Sequence, residues 1–239
     1  MAACWPSSPP SAAAPEPAMR LLGWTAPGGS TELVVAHGPA DAAQRLLVLP
    51  AWFDEANKTR HFTQAVMRHL ADAGVASVLP DLPGCNESLA PFESQSMATW
   101  RAAAQSSAEQ LGATHVLAMR AAVAIAPSLP GWAYAPVAGK SVLRGLLRAR
   151  VLSAREAGRQ ETSEALLASG LANGLDLAGY RLGAQMVADL ADGELAPSTF
   201  TIIAQNEIGG AGLWLRAEPD HDAAQAETLA ALVAGRLST

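Results

Sequence analysis

The feature that most constrains this chain is a recurring pair: a short, almost unbroken apolar run, then a longer stretch with apolar residues at helical spacing. Arg45-Leu46-Leu47-Val48-Leu49-Pro50, Val75-Ala76-Ser77-Val78-Leu79-Pro80 and His115-Val116-Leu117-Ala118 are the clearest runs. A strand covered on both faces needs no polar alternation, so these read as internal strands. Between them Phe62, Ala65, Val66, His69 and Leu70 share one helical face, ended by Gly74. Met97, Trp100, Ala104, Ala108 and Leu111 share another. Strands alternating with helices predict an α/β fold, a mainly parallel sheet with helices on both faces.

The rest of the chain extends that pattern. Arg20–Trp24 and the run from Thr31 read as two strands joined at Pro27-Gly28-Gly29, and Gly131–Pro136 as another. From about 140 to 173, Val142, Leu143, Leu146 and Leu147 face one way, which predicts a small helical cap over the strand ends. Leu175–Gly179 precedes a predicted helix carrying Leu182, Met186, Val187 and Leu190. Two last strands are expected at Phe200–Gln205 and Leu213–Ala217, split by Gly209-Gly210-Ala211-Gly212. A final helix carries Ala226, Leu229, Leu232 and Val233. No repeat is visible.

Bulk properties exclude several classes. With 239 residues, 50% of them hydrophobic, the chain can form a single large domain, expected over 19–239. A net charge of −6 argues against nucleic acid or an anionic membrane as the main partner. Cys4 and Cys85 make neither a disulfide framework nor a metal-ligand set, so no metal or cofactor is expected and a reducing cytoplasm fits. No run approaches the ~20 apolar residues of a membrane span. Residues 1–18, rich in Pro and Ala, lack the basic and apolar regions of a signal peptide and are expected to be a disordered tail, with Met19 an alternative start.

The stretch Thr114–Ala126, T-H-V-L-A-M-R-A-A-V-A-I-A, has the layout of a strand, a tight turn and a helix. A nucleophile elbow of sequence G-x-S-x-G has this layout, and it lifts a serine hydroxyl over the sheet. Here the slots read Ala118-Met119-Arg120-Ala121-Ala122. The loop Asp81–Ser88, D-L-P-G-C-N-E-S, resembles the D-x-x-G-x-G-x-S loop after the fourth strand of α/β-hydrolase-fold proteins, with Asn86 in place of a glycine. More narrowly, residues 49–60, 135–150, 177–180 and 213–219 resemble the exosortase A system-associated hydrolases, second type. That resemblance implies an α/β-hydrolase-like fold and a cytoplasmic bacterial protein tied to exosortase-dependent sorting and exopolysaccharide export. It also implies a hydrolase by name, and a fold does not establish that activity.

The residue chemistry speaks separately. Arg120 is always charged and cannot attack a carbonyl. At the start of a helix its charge calls for an anion. The strands ending at Pro50 and Met119 are neighbours in the resembled sheet, which brings Glu55 or Asp54 within reach. Arg120 then forms an internal salt bridge that plugs the site, or binds a carboxylate or phosphate ligand together with backbone N–H groups, or is a surface arginine on a turn that is no elbow. Ala118 and Ala122 replace two glycines, which predicts a relaxed turn. Glu207 and His221 stand in the order of an acid and a histidine, although Asp220 and Asp222 beside His221 fit a helix cap equally well. Cys85 and Ser88 lack a basic partner, and Ser88 suits its own turn. Asn57, Lys58 and Arg60 follow the third strand, where an oxyanion donor would sit; Asn57 also suits a helix N-cap and Arg60 a solvated first turn. The expected pocket is therefore Arg120, Glu55, Asn57, Lys58 and Met119, with His221 and Glu207 as weaker catalytic candidates. Two functions remain: a non-catalytic or anion-binding accessory protein whose partner is an anionic small molecule or a protein of that system, or a hydrolase of an ester or thioester by a non-standard mechanism.

Overall fold

A computed structural model describes residues 19–195 and 199–237; the expected tail at 1–18 lies outside them. In chain order the elements are β1 (Met19–Thr25), β2 (Thr31–His37), β3 (Arg45–Leu49), α1 (Asp54–Asp72), β4 (Ala76–Pro80), α2 (Met97–Gln110) and β5 (His115–Met119). A 3-10 segment, Arg120–Ile125, follows, then β6 (Gly131–Tyr134), α3 (Gly139–Glu156), α4 (Ser163–Asn173), β7 (Leu175–Leu177), β8 (Tyr180–Leu182) and α5 (Ala184–Asp192). The chain continues through β9 (Thr201–Ile203), α6 (Gln205–Ile208), a 3-10 turn at Leu213–Leu215 and α7 (Ala223–Leu237).

Seven strands form one sheet in the order β1-β2-β4-β3-β5-β6-β9. The first three are antiparallel neighbours, and β4, β3, β5, β6 and β9 run parallel. The apolar runs explain this centre. Along β3, Leu47 and Leu49 enter one core while Leu46 and Val48 enter the other; along β5, Val116 and Ala118 part from Leu117 and Met119 in the same way. Helices α1 and α7 cover the second face with Phe62, Val66, Leu70, Leu229 and Val233. Helix α2 covers the first with Trp100, Ala103 and Ala104. This is a mainly parallel, doubly covered sheet, the α/β-hydrolase-like architecture.

Residues 139–192 join the α2 side of the core through Leu143, Leu146, Leu147, Leu182, Met186 and Leu190. The α5 residue Asp189 accepts a 2.8 Å hydrogen bond from the Met97 N–H, one of the donors left open at the start of α2. Among the described residues no helix is long and apolar enough to cross a membrane.

Four sequence expectations change. Helix α1 starts at Asp54, so Asn57 lies within it and Phe53 takes the N-cap position that Asn57 also suited. Residues 180–182 are a strand, because Ala178 and Gly179 both adopt positive φ and turn β7 back on β8. Residues 213–215 form a 3-10 turn and add no eighth strand. The reason lies at Gly212, where a Cβ would stand 2.4 Å from the Trp214 ring: the chain curls so tightly there that it cannot lie extended. The segment after Met119 is a six-residue 3-10 turn, not an α-helix.

Candidate functional site

The parallel strands β3, β4, β5 and β6 end at one edge of the sheet, where the loops of such folds converge. Backbone strain gathers there. The described non-glycine residues at positive φ are Phe53, Asn86, Arg120, Ala135 and Ala178. Phe53, Arg120 and Ala135 lie just beyond β3, β5 and β6, Asn86 lies in the loop after β4, and Ala178 makes the hairpin turn before Tyr180. Left-handed conformations of this kind are costly outside glycine and mark places where the surroundings dictate the backbone.

Arg120 itself has φ +56° directly after β5, so the turn is sharp and not relaxed. The methyls of Ala118 and Ala122 are fully buried without opening it. The long helix that would press against them is absent, and the chain leaves as a narrow 3-10 coil instead.

Each nitrogen of the Arg120 side chain has a partner. Its Nε donates to Glu55 Oε2 at 2.9 Å and its Nη2 to Glu55 Oε1 at 3.0 Å. Nη1 donates to the Ala135 carbonyl at 2.6 Å. The guanidinium carbon lies 3.9 Å from the centroid of the Trp214 ring. A bidentate carboxylate, a carbonyl and an aromatic face are three favourable settings for a guanidinium. Glu55 lies in the first turn of α1, where a negative charge is favoured by the helix dipole. Tyr134 closes the group from β6: it packs edge-on to Trp214 with centroids 5.9 Å apart, and its hydroxyl donates to Gln205 Oε1. Burial pushes the Tyr134 phenol up, opposed in part by the Arg120 charge.

The remaining candidates divide. Asp54 pairs with Lys58 at 2.7 Å, one helical turn on, so neither joins Arg120. Met119, expected in the pocket, instead points into the α1-side core beside Thr63, whose hydroxyl lies 3.5 Å from its sulfur, because strand alternation sends its side chain to the face opposite Ala118. Glu207 accepts from the Ala204 N–H at 2.7 Å and faces Arg236 at 3.8 Å. The His221 ring packs edge-on to that of His61, with centroids 4.1 Å apart. Among the described residues no hydrogen bond joins His221 to Glu207, and Asp222 caps α7 by accepting from the Gln225 N–H at 3.1 Å. Ser88 accepts from the Gly84 and Ala90 N–H groups and is spent on its own loop.

Beside this ion pair lies a cavity of about 300 Å³ that neither Arg120 nor Glu55 lines. Its walls are the start of α1, the loop after β4 and the β7–β8 hairpin, and Asn57, Arg60 and Cys85 lie in them. Asn57 donates to the Tyr180 hydroxyl at 3.2 Å, joining α1 to the hairpin. Burial, with Asp81 and Glu32 adding to it, pushes the Cys85 thiol up to about 12, so it stays protonated and is a poor nucleophile. Sequence reading missed the main component of this wall. Trp52, Phe53, Phe92, Trp100 and Tyr180 pack with centroid separations from 5.2 to 6.5 Å. The chain has six Trp, two Tyr and four Phe, so this one cluster holds five of its twelve aromatic residues. The concentration of Trp52-Phe53 in one loop was the available signal.

No protein-family model and no curated protein sequence matches the chain. Solved structures of similar architecture include a proline iminopeptidase-related protein from Thermus thermophilus, at 18% identity and TM-score 0.45, over 61% of this chain and 52% of that one. An esterase from Exiguobacterium antarcticum matches at 17% and 0.43, over 53% and 54% of the two chains. An epoxide hydrolase from Vigna radiata matches at 14% and 0.41, over 49% and 40%. In each case the chain covers less than two thirds of the matched protein.

Proposed function

We propose that this chain is a non-catalytic protein of α/β-hydrolase-like fold, in which an arginine–glutamate pair stands where a nucleophile would, and that it serves as a cytoplasmic accessory of the exosortase and exopolysaccharide type. The observation that carries the first part is the bidentate contact of Arg120 with Glu55 at the strained turn after β5. A guanidinium cannot attack a carbonyl, and its fork, the face that would grip an external carboxylate or phosphate, is already occupied. His221 and Glu207 have other partners, so neither candidate serves as a base at that turn. The accessory role rests on the segments at 49–60, 135–150, 177–180 and 213–219 that resemble the exosortase-associated proteins.

The test is turnover of p-nitrophenyl acetate, p-nitrophenyl butyrate and an acyl thioester by the full chain. Release at the buffer rate, equal in wild type and His221→Ala, is expected. Turnover that His221→Ala abolishes would overturn the reading.

A further inference from the structure

We propose that β1 is an interface strand: two copies of this chain pair edge to edge through it, antiparallel about Leu21, and their sheets join into one. The inference uses no residue of the Arg120–Glu55 site and stands whether or not that site is catalytic.

The sheet ends in two very different edges. At one, β9 is only the three residues Thr201–Ile203, and so short a strand gives a second chain little to pair with. At the other, β1 runs for seven residues, Met19–Thr25. Its register with β2 is continuous from Met19↔His37 to Thr25↔Thr31, so no bulge turns it away. It has no proline, and Arg20 is its only charge. Proline, bulges and charges are the usual protections of a sheet edge, and β1 has almost none of them.

Hydrogen bonding shows which part of this edge is open. The Thr25 N–H and carbonyl turn away from β2, since they bond to the Gln110 side chain at 3.2 and 2.8 Å. In an antiparallel ladder alternate residues face the same way, so the N–H and carbonyl groups of Met19, Leu21 and Gly23 also point outward. Among the described residues no hydrogen bond outside the β1–β2 ladder reaches these three. Gln110 closes the Thr25 end. Two residues before Met19 the sequence has Pro17, which has no N–H to offer. The open window is therefore Met19–Gly23, and Leu21 is its centre.

A second copy fills this window better than the residues that precede it in the chain. Five of those 18 residues are proline, a poor ladder residue. A two-fold axis at Leu21 instead sets Leu21 against Leu21 and Met19 against Gly23, each pair exchanging both N–H···O bonds. The side chains agree with that register. Met19 is received over Gly23, where an added Cβ would meet only Thr31 and Glu32 of β2. On the other face Leu22 meets the aliphatic stem of Arg20, whose head is held at the Gly38 carbonyl at 3.0 Å. Among the described residues nine large hydrophobics are exposed, and three of them, Met19, Leu21 and Leu22, lie in β1. Pairing removes that patch from water.

Sedimentation velocity of the full chain over a dilution series is expected to show a monomer–dimer equilibrium. Amide exchange by 15N NMR then locates the contact. The Arg20, Leu22 and Trp24 amides, which face β2, should be protected at every concentration, whereas those of Met19, Leu21 and Gly23 should gain protection only as the dimer forms. Leu21 is 60% exposed, so Leu21→Lys keeps the fold while setting two like charges across the axis. It should weaken association about tenfold, and Leu21→Val should not. A chain that sediments as a monomer throughout would overturn the inference. Equal protection of the Met19, Leu21 and Gly23 amides at every dilution would do the same, since it places an intrachain segment on the edge. A dimer that Leu21→Lys leaves intact would put the contact elsewhere and overturn it too.

Discussion

Arg120 and Glu55 are 65 residues apart in sequence and meet edge to edge through two N–H···O contacts of 2.9 and 3.0 Å. The side chains are only 13% and 24% exposed. Separating such a pair strands a charge in a poorly hydrated place, which costs more than the pair gains by forming. Glu55→Ala should therefore destabilise the protein by about 2 kcal/mol, below the ~3–5 of a fully buried pair because some water reaches it. Replacing both residues with Leu should recover much of that loss. Urea denaturation of Glu55→Leu, Arg120→Leu and the double variant measures the coupling; additive effects would mean the contact is not coupled.

Restoring the expected nucleophile should not restore chemistry. In Arg120→Ser the hydroxyl would stand at the strained turn, but His221 packs on His61, and among the described residues no hydrogen bond joins it to Glu207 as a relay would need. A serine without a base is inert. Arg120→Ser should give no burst with p-nitrophenyl acetate and no acyl adduct by intact-mass spectrometry.

Asp81 gives a dependence on pH. Burial raises its carboxyl above the usual value of 3.8, although Asn86 and the Glu87 N–H donate to it. A raised carboxyl means the folded state holds the proton more tightly than the unfolded one. Its contribution is fully present below 3.8 and is lost as pH rises through the folded value. Asp81→Asn cannot ionise, so the stability of wild type relative to this variant should fall as pH rises above about 4 and then level off. Urea midpoints across that range test this, and a gap independent of pH would clear the carboxyl.

Cys85 should resist alkylation. With its thiol pushed up to about 12, very little is thiolate near neutral pH. In a Cys4→Ala background, iodoacetamide should label Cys85 far more slowly than free cysteine at the same pH. Urea should bring the rate up to that of the free amino acid.

Ala178 sits at φ +50° in the hairpin turn that presents Tyr180. Ala178→Gly removes the steric cost of that conformation and should stabilise the protein by about 1 kcal/mol, less the added entropy of the unfolded chain. Thermal unfolding measures the sign.

Much of this was legible in the sequence, and the boundary is physical. The runs at 45–50, 75–80 and 115–118 have no polar alternation, and only a doubly covered sheet accommodates that, so the architecture follows from them. A partner for Arg120 at Glu55 or Asp54 was legible because the resembled sheet sets the strand before them beside the strand before Arg120; the choice of Glu55 was not. Met119 was expected in the pocket because it stands next to Arg120 in the elbow pattern, whereas strand alternation still governs the residue before the turn. The curl at 213–215 depends on the Trp214 ring closing over Gly212, which no periodicity records. The aromatic cavity assembles rings from positions 52, 53, 92, 100 and 180, and such a gathering exists only once the chain has folded. Trp52, Phe53 and Asn57 from 49–60 and Tyr180 from 177–180 line the cavity, while Ala135 and Trp214, from 135–150 and 213–219, supply a carbonyl and a ring to Arg120.

The left-handed residues at Phe53, Asn86, Arg120 and Ala135 have a collective consequence. Each belongs to a different loop, so the rim owes its form to four separate constraints held by two cores, not to any single hinge. Such an edge is redundant: easing one loop, by glycine or by accident, leaves three to keep the outline. A rim held in that way can exchange a side chain in one loop and keep its shape.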